Sequence, residues 1–245
     1  MEQNKAVNII CMKWGDKYGA DYVNKLYAMV QRNITIPFQF VCFTENQKGI
    51  DPEVKIYPLP SLSLPDNLPE RGWLKLATFK QPLEDLSGTA LFLDLDVLIV
   101  DNIDVFFTFD AEFALCFDEK KKAQTIGNSS VYRFEIGKHA EVLEFFLENF
   151  DYVKEKHRNE QAFLSHQMNA KKALKFWPKE WTPSFKYHCI PAFPLNFWRA
   201  PFIPKGTKII LFHGKPEPIE AQKGISGKWY RYFKPVTWIA DYWKV

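Results

Sequence analysis

The chain has 245 residues, of which 47% are hydrophobic and 25% charged, so intrinsically disordered and fibrous classes are excluded. Its formal net charge of +3, from 32 basic and 29 acidic residues, lacks the strong basic excess of nucleic-acid-binding proteins. We therefore expect one α/β domain with a large apolar core and no nucleic-acid partner.

The first half of the chain alternates predicted strands and helices. Residues 6–12 form a short apolar run typical of a buried strand, and apolar residues recur at helical spacing through residues 22–31. Residues 38–43 and 54–57 are predicted as the second and third strands. This strand, helix, strand order indicates a parallel sheet.

The middle of the chain contains an apolar run with two acids inside it. Prolines keep residues 58–69 extended or looped, and good helix formers follow at residues 70–80. Residues 89–100 read TALFLDLDVLIV, in which Asp94 and Asp96 interrupt the apolar pattern. The more irregular second half has predicted strands at 112–117, 131–134 and 208–212 and predicted helices at 138–150 and 159–169.

The four cysteines, Cys11, Cys42, Cys116 and Cys189, lie far apart in the sequence. No pair has the close spacing of a zinc or redox site, so we expect reduced, packed thiols. The sequence begins without the long apolar stretch of a signal peptide, and no later run approaches a membrane span. A cytoplasmic location is the resulting expectation.

Asp94 and Asp96 are the leading candidates for chemistry. On an extended strand, residues two positions apart point to the same side. Two like charges buried together are unfavourable unless one takes a proton or a cation lies between them. A divalent cation such as Mg²⁺ or Mn²⁺ removes that conflict and would bridge the phosphates of a nucleotide.

Two other interpretations of the acid pair stay open at this point. The strand could end at Leu93 and leave both aspartates as solvated turn residues, although apolar residues flank them on both sides. The pair also resembles the DxDx[T/V] loop of phosphatases, in which the first Asp is a nucleophile and the second a general acid. Leu98 at the fifth position, and the distance from the first strand, make a DxD phosphatase the weaker alternative.

With a strand, the DLD pair and a distant HGK triplet, the chain resembles the retaining nucleotide-sugar glycosyltransferases of the glycogenin and lipopolysaccharide galactosyltransferase type. The resemblance implies the GT-A fold: a single α/β domain with a mixed, mainly parallel central sheet flanked by helices. In that family, the two acids and a late histidine chelate Mn²⁺, which holds the diphosphate of a UDP-sugar. The matching residues are Asp94, Asp96 and His213, and an imidazole ligand favours Mn²⁺ over Mg²⁺.

Other short segments match the same family in chain order. Tyr18, in CMKWGDKY, stands where the family has a nucleotide-contacting tyrosine. Lys75, in RGWLKL, matches a basic residue near the diphosphate, with Arg71 beside it. Further implied contacts to the donor sugar or the leaving phosphate are Asn128 and Ser129 of GNSSVY, Glu160 and Gln161 of NEQAFL, and Lys215 of FHGKPEP. Ser130 and Glu160 replace the family's usual Gly and Asp. His213 is followed at once by GKP, and this spacing, shorter than is usual in the family, indicates a divergent member.

The resemblance implies a metal-dependent hexosyltransferase that moves a sugar from a UDP-sugar to a hydroxyl of a glycan or glycolipid, with retention, in lipopolysaccharide or surface-glycan synthesis. Glu160, Gln161 and Lys75 are the implied catalytic residues. No residue is a convincing nucleophile, which favours a same-face route in which a leaving phosphate oxygen takes the acceptor's proton. The alternative outside the enzyme class is a non-catalytic nucleotide- or glycan-binding module with the same fold.

The end of the chain differs in composition from the rest. We assign residues 1–226 to the transferase domain and residues 227–245 to a C-terminal segment rich in aromatic and basic side chains. Such a segment suits peripheral contact with an anionic membrane on its inner face. Packing on the domain is the other interpretation, because Pro235 breaks any long amphipathic helix.

Overall fold

The structure is a computed structural model that describes residues 6–62, 72–118, 125–226 and 231–245. Strands in these parts are β1 (Val7–Lys13), β2 (Phe38–Thr44), β3 (Lys55–Tyr57), β4 (Thr89–Leu93), β5 (Leu98–Ile99), β6 (Phe113–Phe117), β7 (Gly127–Glu135), β8 (Leu174–Phe176) and β9 (Ile209–Ile210). The α-helices are α1 (Ala20–Asn33), α2 (Val105–Thr108), α3 (Ala140–Glu148), α4 (Phe150–Lys156), α5 (Glu160–Ala170), α6 (Pro218–Gln222) and α7 (Ile239–Tyr242). Residues Trp73–Phe79 and Leu195–Phe197 form 3₁₀ helices, and Phe185–Cys189 form one turn of π-helix.

Seven strands form one mixed, mostly parallel sheet in the order β3-β2-β1-β4-β7-β6-β8. Strand β1 pairs in parallel with both β2 and β4, whereas β7 runs antiparallel between β4 and β6. The carboxyl ends of β1 and β4 therefore meet at one edge. The amino end of β7 lies at the same edge, because Leu93 is paired with Val131. Strands β5 and β9 form a separate antiparallel pair.

The core lies on both faces of the sheet, because side chains alternate along each strand. Ile9 and Cys11 of β1 pack on the face covered by α1, whereas Ile10 and Met12 pack on the face covered by the Trp73–Phe79 helix. All four cysteines are buried. Burial on both faces explains why the β1 sequence is an unbroken apolar run rather than an alternating one.

The apolar run at residues 89–100 is not one strand, and the expectation that both acids project from an extended strand is wrong. Strand β4 ends at Leu93, and a turn follows in which the Val97 N–H donates to the Asp94 carbonyl at 3.4 Å. The Asp94 N–H donates to the Ser130 carbonyl at 2.8 Å. The turn redirects the chain into β5, which pairs with β9 instead of extending β4.

Other predicted elements differ mainly in their bounds. The predicted helix at residues 138–150 corresponds to α3, which ends at Glu148 because Asn149 leaves the helical conformation, and the unpredicted helix α4 follows directly. The described part of the predicted helix at residues 70–80 is a 3₁₀ helix that begins at Trp73. The predicted strand at residues 208–212 is shorter, and β7 is longer than the predicted 131–134.

The described residues of the C-terminal segment pack against α1 and the core below it. Phe233, Val236, Ile239 and Trp243 are buried in the same cluster as α1. The Arg32 guanidinium donates to the carbonyls of Tyr242 and Lys244, each at 2.9 Å. Across the described ranges, no helix has both the length and the apolar character needed to span a membrane.

Candidate active site

A cavity of about 950 Å³ opens at the sheet edge where β1 and β4 end. Its walls come from the loop after β1, the turn after β4, the start of β7, the start of α5 and the segment that follows β9. Open α/β sheets bind ligands at the carboxyl ends of their strands. The sheet topology therefore brings segments that are far apart in sequence to one place suited to a ligand.

Lys75 lies at the centre of a buried polar network in this cavity. Its Nζ is 2.6 Å from Asp94 Oδ1 and 4.0 Å from Glu160 Oε1. The Ser129 hydroxyl donates to the same Glu160 oxygen at 2.5 Å, and Lys75 donates to the Ser129 carbonyl at 3.4 Å. Four residues predicted from separate sequence motifs are thus joined by direct contacts.

The charges in this network stabilise one another. Burial by itself lowers the pKa of Lys75, but attraction to Asp94 and Glu160 outweighs it and raises that pKa above its usual value. Burial also raises the pKa of Glu160, although Lys75 opposes this. A buried ammonium that serves two carboxylates keeps them charged inside the protein, and its loss would leave both without a counter-ion.

Gly72 allows the start of α5 to approach Lys75 closely. Its φ of 79° lies in the left-handed region, and a Cβ built there would come within 2.9 Å of all three atoms of the Glu160 carboxyl group. A side chain at this position would clash with Glu160 as well as strain the backbone. The glycine before the Trp73–Phe79 helix is thus part of how the site is assembled.

Asp96 is buried and bound by Tyr18, whose hydroxyl donates to Asp96 Oδ2 at 2.8 Å. Burial, followed by repulsion from Asp94, raises the pKa of Asp96 to about 6. Burial and the Asp96 charge likewise raise the pKa of Tyr18. Although the acids lie in a turn, Asp96 is not a solvated turn residue, because it is only 8% exposed.

His213 lines the same cavity and lies in the segment that follows β9. The Asn128 side-chain nitrogen lies 3.3 Å from His213 Nδ1, and the side-chain oxygen Oδ1 of Asn128 accepts from the Ser130 N–H at 2.9 Å. The Lys186 ammonium donates to the His213 carbonyl. Asn128 therefore connects the predicted GNSSVY and FHGKPEP segments directly.

Glu217 holds the segment after β9 against the loop after β1. Its carboxylate accepts from the Tyr22 hydroxyl at 3.0 Å and lies 3.6 Å from Lys17 Nζ. Tyr22 belongs to α1, and Glu217 caps the amino end of α6 in a capping box with Glu220. These contacts fix the cavity wall that carries His213.

Asp94, Asp96 and His213 share one cavity, but within the described ranges no group of three or more His, Cys, Asp or Glu side chains is arranged to hold a metal ion. The donor chemistry nevertheless fits a divalent cation. Two carboxylates lie close enough to raise the pKa of Asp96, and a cation relieves such repulsion. Carboxylate oxygens and an imidazole nitrogen suit Mn²⁺.

The predicted contacts do not all line the observed cavity. Lys215 is exposed, pairs with Glu220 and is absent from the cavity lining. Arg71 lies outside the described residues. Gln161 does line the cavity, beside Glu160 at the start of α5. The structure thus assembles most, but not all, of the predicted set.

Sequence reasoning missed four basic residues that line the cavity: Lys17, Arg158, Lys179 and Lys186. Lys17 and Arg158 are close neighbours of residues that the motifs identified, so their position in the sequence was a usable signal. Lys179 and Lys186 lie in an irregular stretch without a recognisable motif. Together they add positive charge to a cavity that also holds several acids.

No protein-family model matches the sequence, and no curated protein matches it. Solved structures do match. The galactosyltransferase LgtC, in complex with donor and acceptor sugar analogues, aligns over 96% of this chain and 95% of its own, with a TM-score of 0.64 and 14% identity. This chain has the GT-A glycosyltransferase fold.

Two further GT-A neighbours are longer than this chain. The glycosyltransferase GlyE of Streptococcus pneumoniae aligns over 98% of this chain and 59% of its own, with a TM-score of 0.59 and 12% identity. The bifunctional glycosyltransferase WbbM aligns over 89% and 47%, with a TM-score of 0.58 and 13% identity. These structures confirm the GT-A fold that the short motifs predicted.

Proposed function

We propose that this protein is a metal-dependent glycosyltransferase that moves a sugar from a UDP-sugar to a hydroxyl of a glycan or glycolipid acceptor. One observation carries the proposal: Asp94, Asp96, Lys75 and His213 line a single cavity at the carboxyl edge of a GT-A sheet. Two acids, a basic group and an imidazole provide what a nucleotide diphosphate and its cation require. The fold also favours sugar transfer over the DxD phosphatase alternative.

In this proposal Asp94, Asp96 and His213 hold Mn²⁺ or Mg²⁺, which supplies positive charge against the diphosphate when bound. Lys75 offsets the charge that develops on the leaving phosphate, because it is already fixed in the cavity by Asp94 and Glu160. Such a preorganised ammonium needs little rearrangement during the reaction.

The donor-binding set in the proposal comprises Tyr18, Arg71, Lys75, Asn128, Ser129 and Lys215. Tyr18 sits in the loop after β1 and Asn128 at the start of β7, so the two line different walls of the cavity. Lys215 would have to leave Glu220 to reach a phosphate. The basic residues Lys17 and Lys186 add to this set, because they line the same cavity.

Retention by a same-face route is the proposed stereochemistry. Glu160 is buried and engaged by Ser129 and Lys75, and Gln161 is an amide, so neither is a good nucleophile. In the same-face route, the bond from the anomeric carbon to the phosphate oxygen breaks while the bond to the acceptor oxygen forms. The acceptor's proton passes to the leaving phosphate oxygen. NMR of the product's anomeric proton tests this, and an inverted product would contradict it.

Metal-dependent donor binding is tested by isothermal titration of UDP with and without Mn²⁺. We expect Asp96→Asn to abolish the Mn²⁺-dependent part of the binding, because it removes one of the two carboxylates that hold the cation. Asp151→Asn is the matched control, since Asp151 is exposed on α4, away from the cavity lining. Unchanged Mn²⁺-dependent binding by Asp96→Asn would contradict the assignment.

The proposed role is in lipopolysaccharide or surface-glycan synthesis on the cytoplasmic side. The neighbours LgtC, a galactosyltransferase, and WbbM, a bifunctional glycosyltransferase, support sugar transfer in general. A thermal-shift panel of UDP-sugars with Mn²⁺ identifies the donor. The sugar that raises the melting temperature most is the one to use in acceptor assays.

A further inference from the structure

Six large apolar side chains are exposed on the loop at residues 190–202 and at the start of the described C-terminal segment. We call this set the aromatic surface; its residues are Phe193, Leu195, Phe197, Trp198, Phe202 and Tyr232. Phe193 is 81% exposed and Trp198 68% exposed, values that are unusual for rings of this size. Clustered exposure of this kind marks an interaction surface, whereas single exposed apolar residues are ordinary.

Ring contacts join four of these side chains, Phe193, Phe197, Trp198 and Tyr232, into one patch. The Phe197 ring centroid lies 5.9 Å from that of Phe193, 6.1 Å from that of Trp198 and 5.2 Å from that of Tyr232, on which it stacks. The loop at residues 190–202 and the C-terminal segment thus contribute to the same surface.

Hydrogen bonds hold this surface in a defined shape. The Asn196 side chain donates to the Tyr232 carbonyl at 2.8 Å, and the Trp238 indole donates to the Pro201 carbonyl at 2.9 Å. The Phe202 N–H donates to the Cys189 carbonyl at 3.0 Å. The rings are therefore exposed on an ordered scaffold.

Basic side chains outnumber acidic ones in the two segments that build this surface. Residues 190–205 and 231–245 contain Arg199, Lys205, Arg231, Lys234 and Lys244, against a single acidic residue, Asp241. A second copy of the same surface would bring like charges together, which disfavours a symmetric dimer. An anionic partner matches the charge, and a bilayer also accepts the exposed rings.

We propose that the aromatic surface docks this protein on an anionic phospholipid bilayer. The rings enter the headgroup region, and the basic side chains meet the lipid phosphates. This differs from the sequence-based expectation for residues 227–245, because Phe233, Val236, Ile239 and Trp243 of that segment are buried in the core. The docking does not depend on the proposed function.

The aromatic surface also continues from the cavity wall. Tyr187 and His188 line the cavity, and the loop that carries Phe193 begins directly after Cys189. A protein docked through this loop therefore keeps one wall of its cavity close to the lipid headgroups. A lipid-linked acceptor fits such an arrangement.

Vesicle co-sedimentation of the full chain tests the proposal. We expect the protein to pellet with vesicles of equal parts phosphatidylcholine and phosphatidylglycerol, and much less with phosphatidylcholine alone. The double variant Phe193→Ser/Trp198→Ser is expected to lose affinity by about tenfold or more, because two rings no longer enter the headgroup region. Tyr152→Ser is the matched control, since Tyr152 is 55% exposed on α4.

A second variant separates charge from apolar contact. Arg199→Gln is expected to weaken binding to the anionic vesicles by about fivefold, with the difference lost at high salt. The proposal is overturned if wild type fails to pellet with anionic vesicles, or if the double variant pellets as wild type does. A dimer in sedimentation equilibrium that only the double variant loses would assign the surface to a second copy, and would also overturn it. Circular dichroism establishes that the variants are folded.

Discussion

Lys75 connects the stability of this protein to its candidate chemistry. Its ammonium is buried between Asp94 and Glu160, two carboxylates from different parts of the chain. A buried ion pair of this kind adds little net stability compared with apolar residues, but removing one partner is costly. Lys75 is therefore positioned by the same charges that it neutralises.

Lys75→Met tests this arrangement through stability. We expect the free energy of unfolding to fall by about 3 to 5 kcal/mol, because Asp94 and Glu160 lose their shared counter-ion. Urea unfolding at neutral pH measures the change. Lys80→Met is the control at the exposed end of the same 3₁₀ helix and should change stability by less than about 0.5 kcal/mol. Equal effects of the two variants would contradict the account.

At the residue scale, sequence reasoning found the acids more easily than the bases. Asp94 and Asp96 are conspicuous because they interrupt an apolar run, and Lys75 follows from a motif. Lys179 and Lys186 line the cavity only because an irregular segment folds back over it, and no local pattern reports such long-range folding.

Among the glycines that the structure describes, Gly127 at the amino end of β7 leaves the least room for a side chain. A Cβ at Gly127 would lie 1.6 Å from Leu115 Cδ1 and 2.7 Å from the Cys116 carbonyl oxygen. The close approach occurs where the register between β6 and β7 shifts, between Leu115 and Cys116. This irregularity brings Asn128 and Ser129 to the cavity.

Gly127→Ala is expected to destabilise the protein by about 1 to 3 kcal/mol, because β6 and β7 must move apart to admit a methyl group. The same movement should weaken UDP binding, since Asn128 and Ser129 shift with the strand. Thermal unfolding and UDP titration measure the two effects. If the melting temperature and the UDP affinity were both unchanged, β6 and β7 would have room for a methyl group at residue 127, which would contradict the close approach described.

Trp73 is the main packing residue between the 3₁₀ helix and α3. Its ring is 1% exposed and stacks on Phe146 at 5.2 Å with an interplanar angle of 3°. We expect Trp73→Ala to cost about 3 to 5 kcal/mol, because it leaves a large cavity next to Lys75. Trp198→Ala, at a ring that is 68% exposed, is the control and should cost little in urea unfolding. Similar losses for both would contradict the packing described.

At the element scale, periodic segments were predicted well and segments set by distant contacts were not. The helix α1 and the strands β1 and β2 follow from local apolar patterns. The turn at residues 94–97 depends on the hydrogen bond from Asp94 to Ser130, which lie 36 positions apart in the printed sequence. Local periodicity carries no information about such a bond. The apolar run at residues 89–100 was therefore predicted as a single strand.

Across the whole molecule, the C-terminal segment connects the core to the site. The Trp243 ring lies 5.2 Å from the Tyr22 ring, and the Tyr22 hydroxyl donates to Glu217, in the segment that follows the cavity-lining His213 and Gly214. Sequence composition left packing and membrane contact open for residues 227–245. The buried side chains show how the described part of that segment packs on the domain.

Trp243→Ala is expected to lower the free energy of unfolding by about 3 kcal/mol, because the ring is buried against α1. Val245→Ala is the control, since Val245 is 76% exposed. Urea unfolding of both variants measures the difference. If Trp243→Ala unfolded at the same urea concentration as Val245→Ala, the segment would not be an integral part of the fold.

The overall fold was predictable because the short motifs of this sequence follow one another in the order found in GT-A glycosyltransferases. Strand, DLD, GNSSVY, NEQAFL and HGK each carry little information alone, but their sequence order matches one topology. That order could not reveal the aromatic surface, whose residues come from a loop and a C-terminal segment without a shared motif.

We propose above all that this protein transfers a sugar from a UDP-sugar, with the cavity at the ends of β1 and β4 as its active site. The most direct test is release of UDP from UDP-hexoses with Mn²⁺, with wild type, Asp96→Asn and Asp151→Asn compared side by side. We predict Mn²⁺-dependent release by wild type and Asp151→Asn and none by Asp96→Asn. The opposite result would be a wild-type protein that binds UDP tightly but releases no UDP from any UDP-hexose, even with glycan acceptors present. That result would contradict the proposal and identify a binding module.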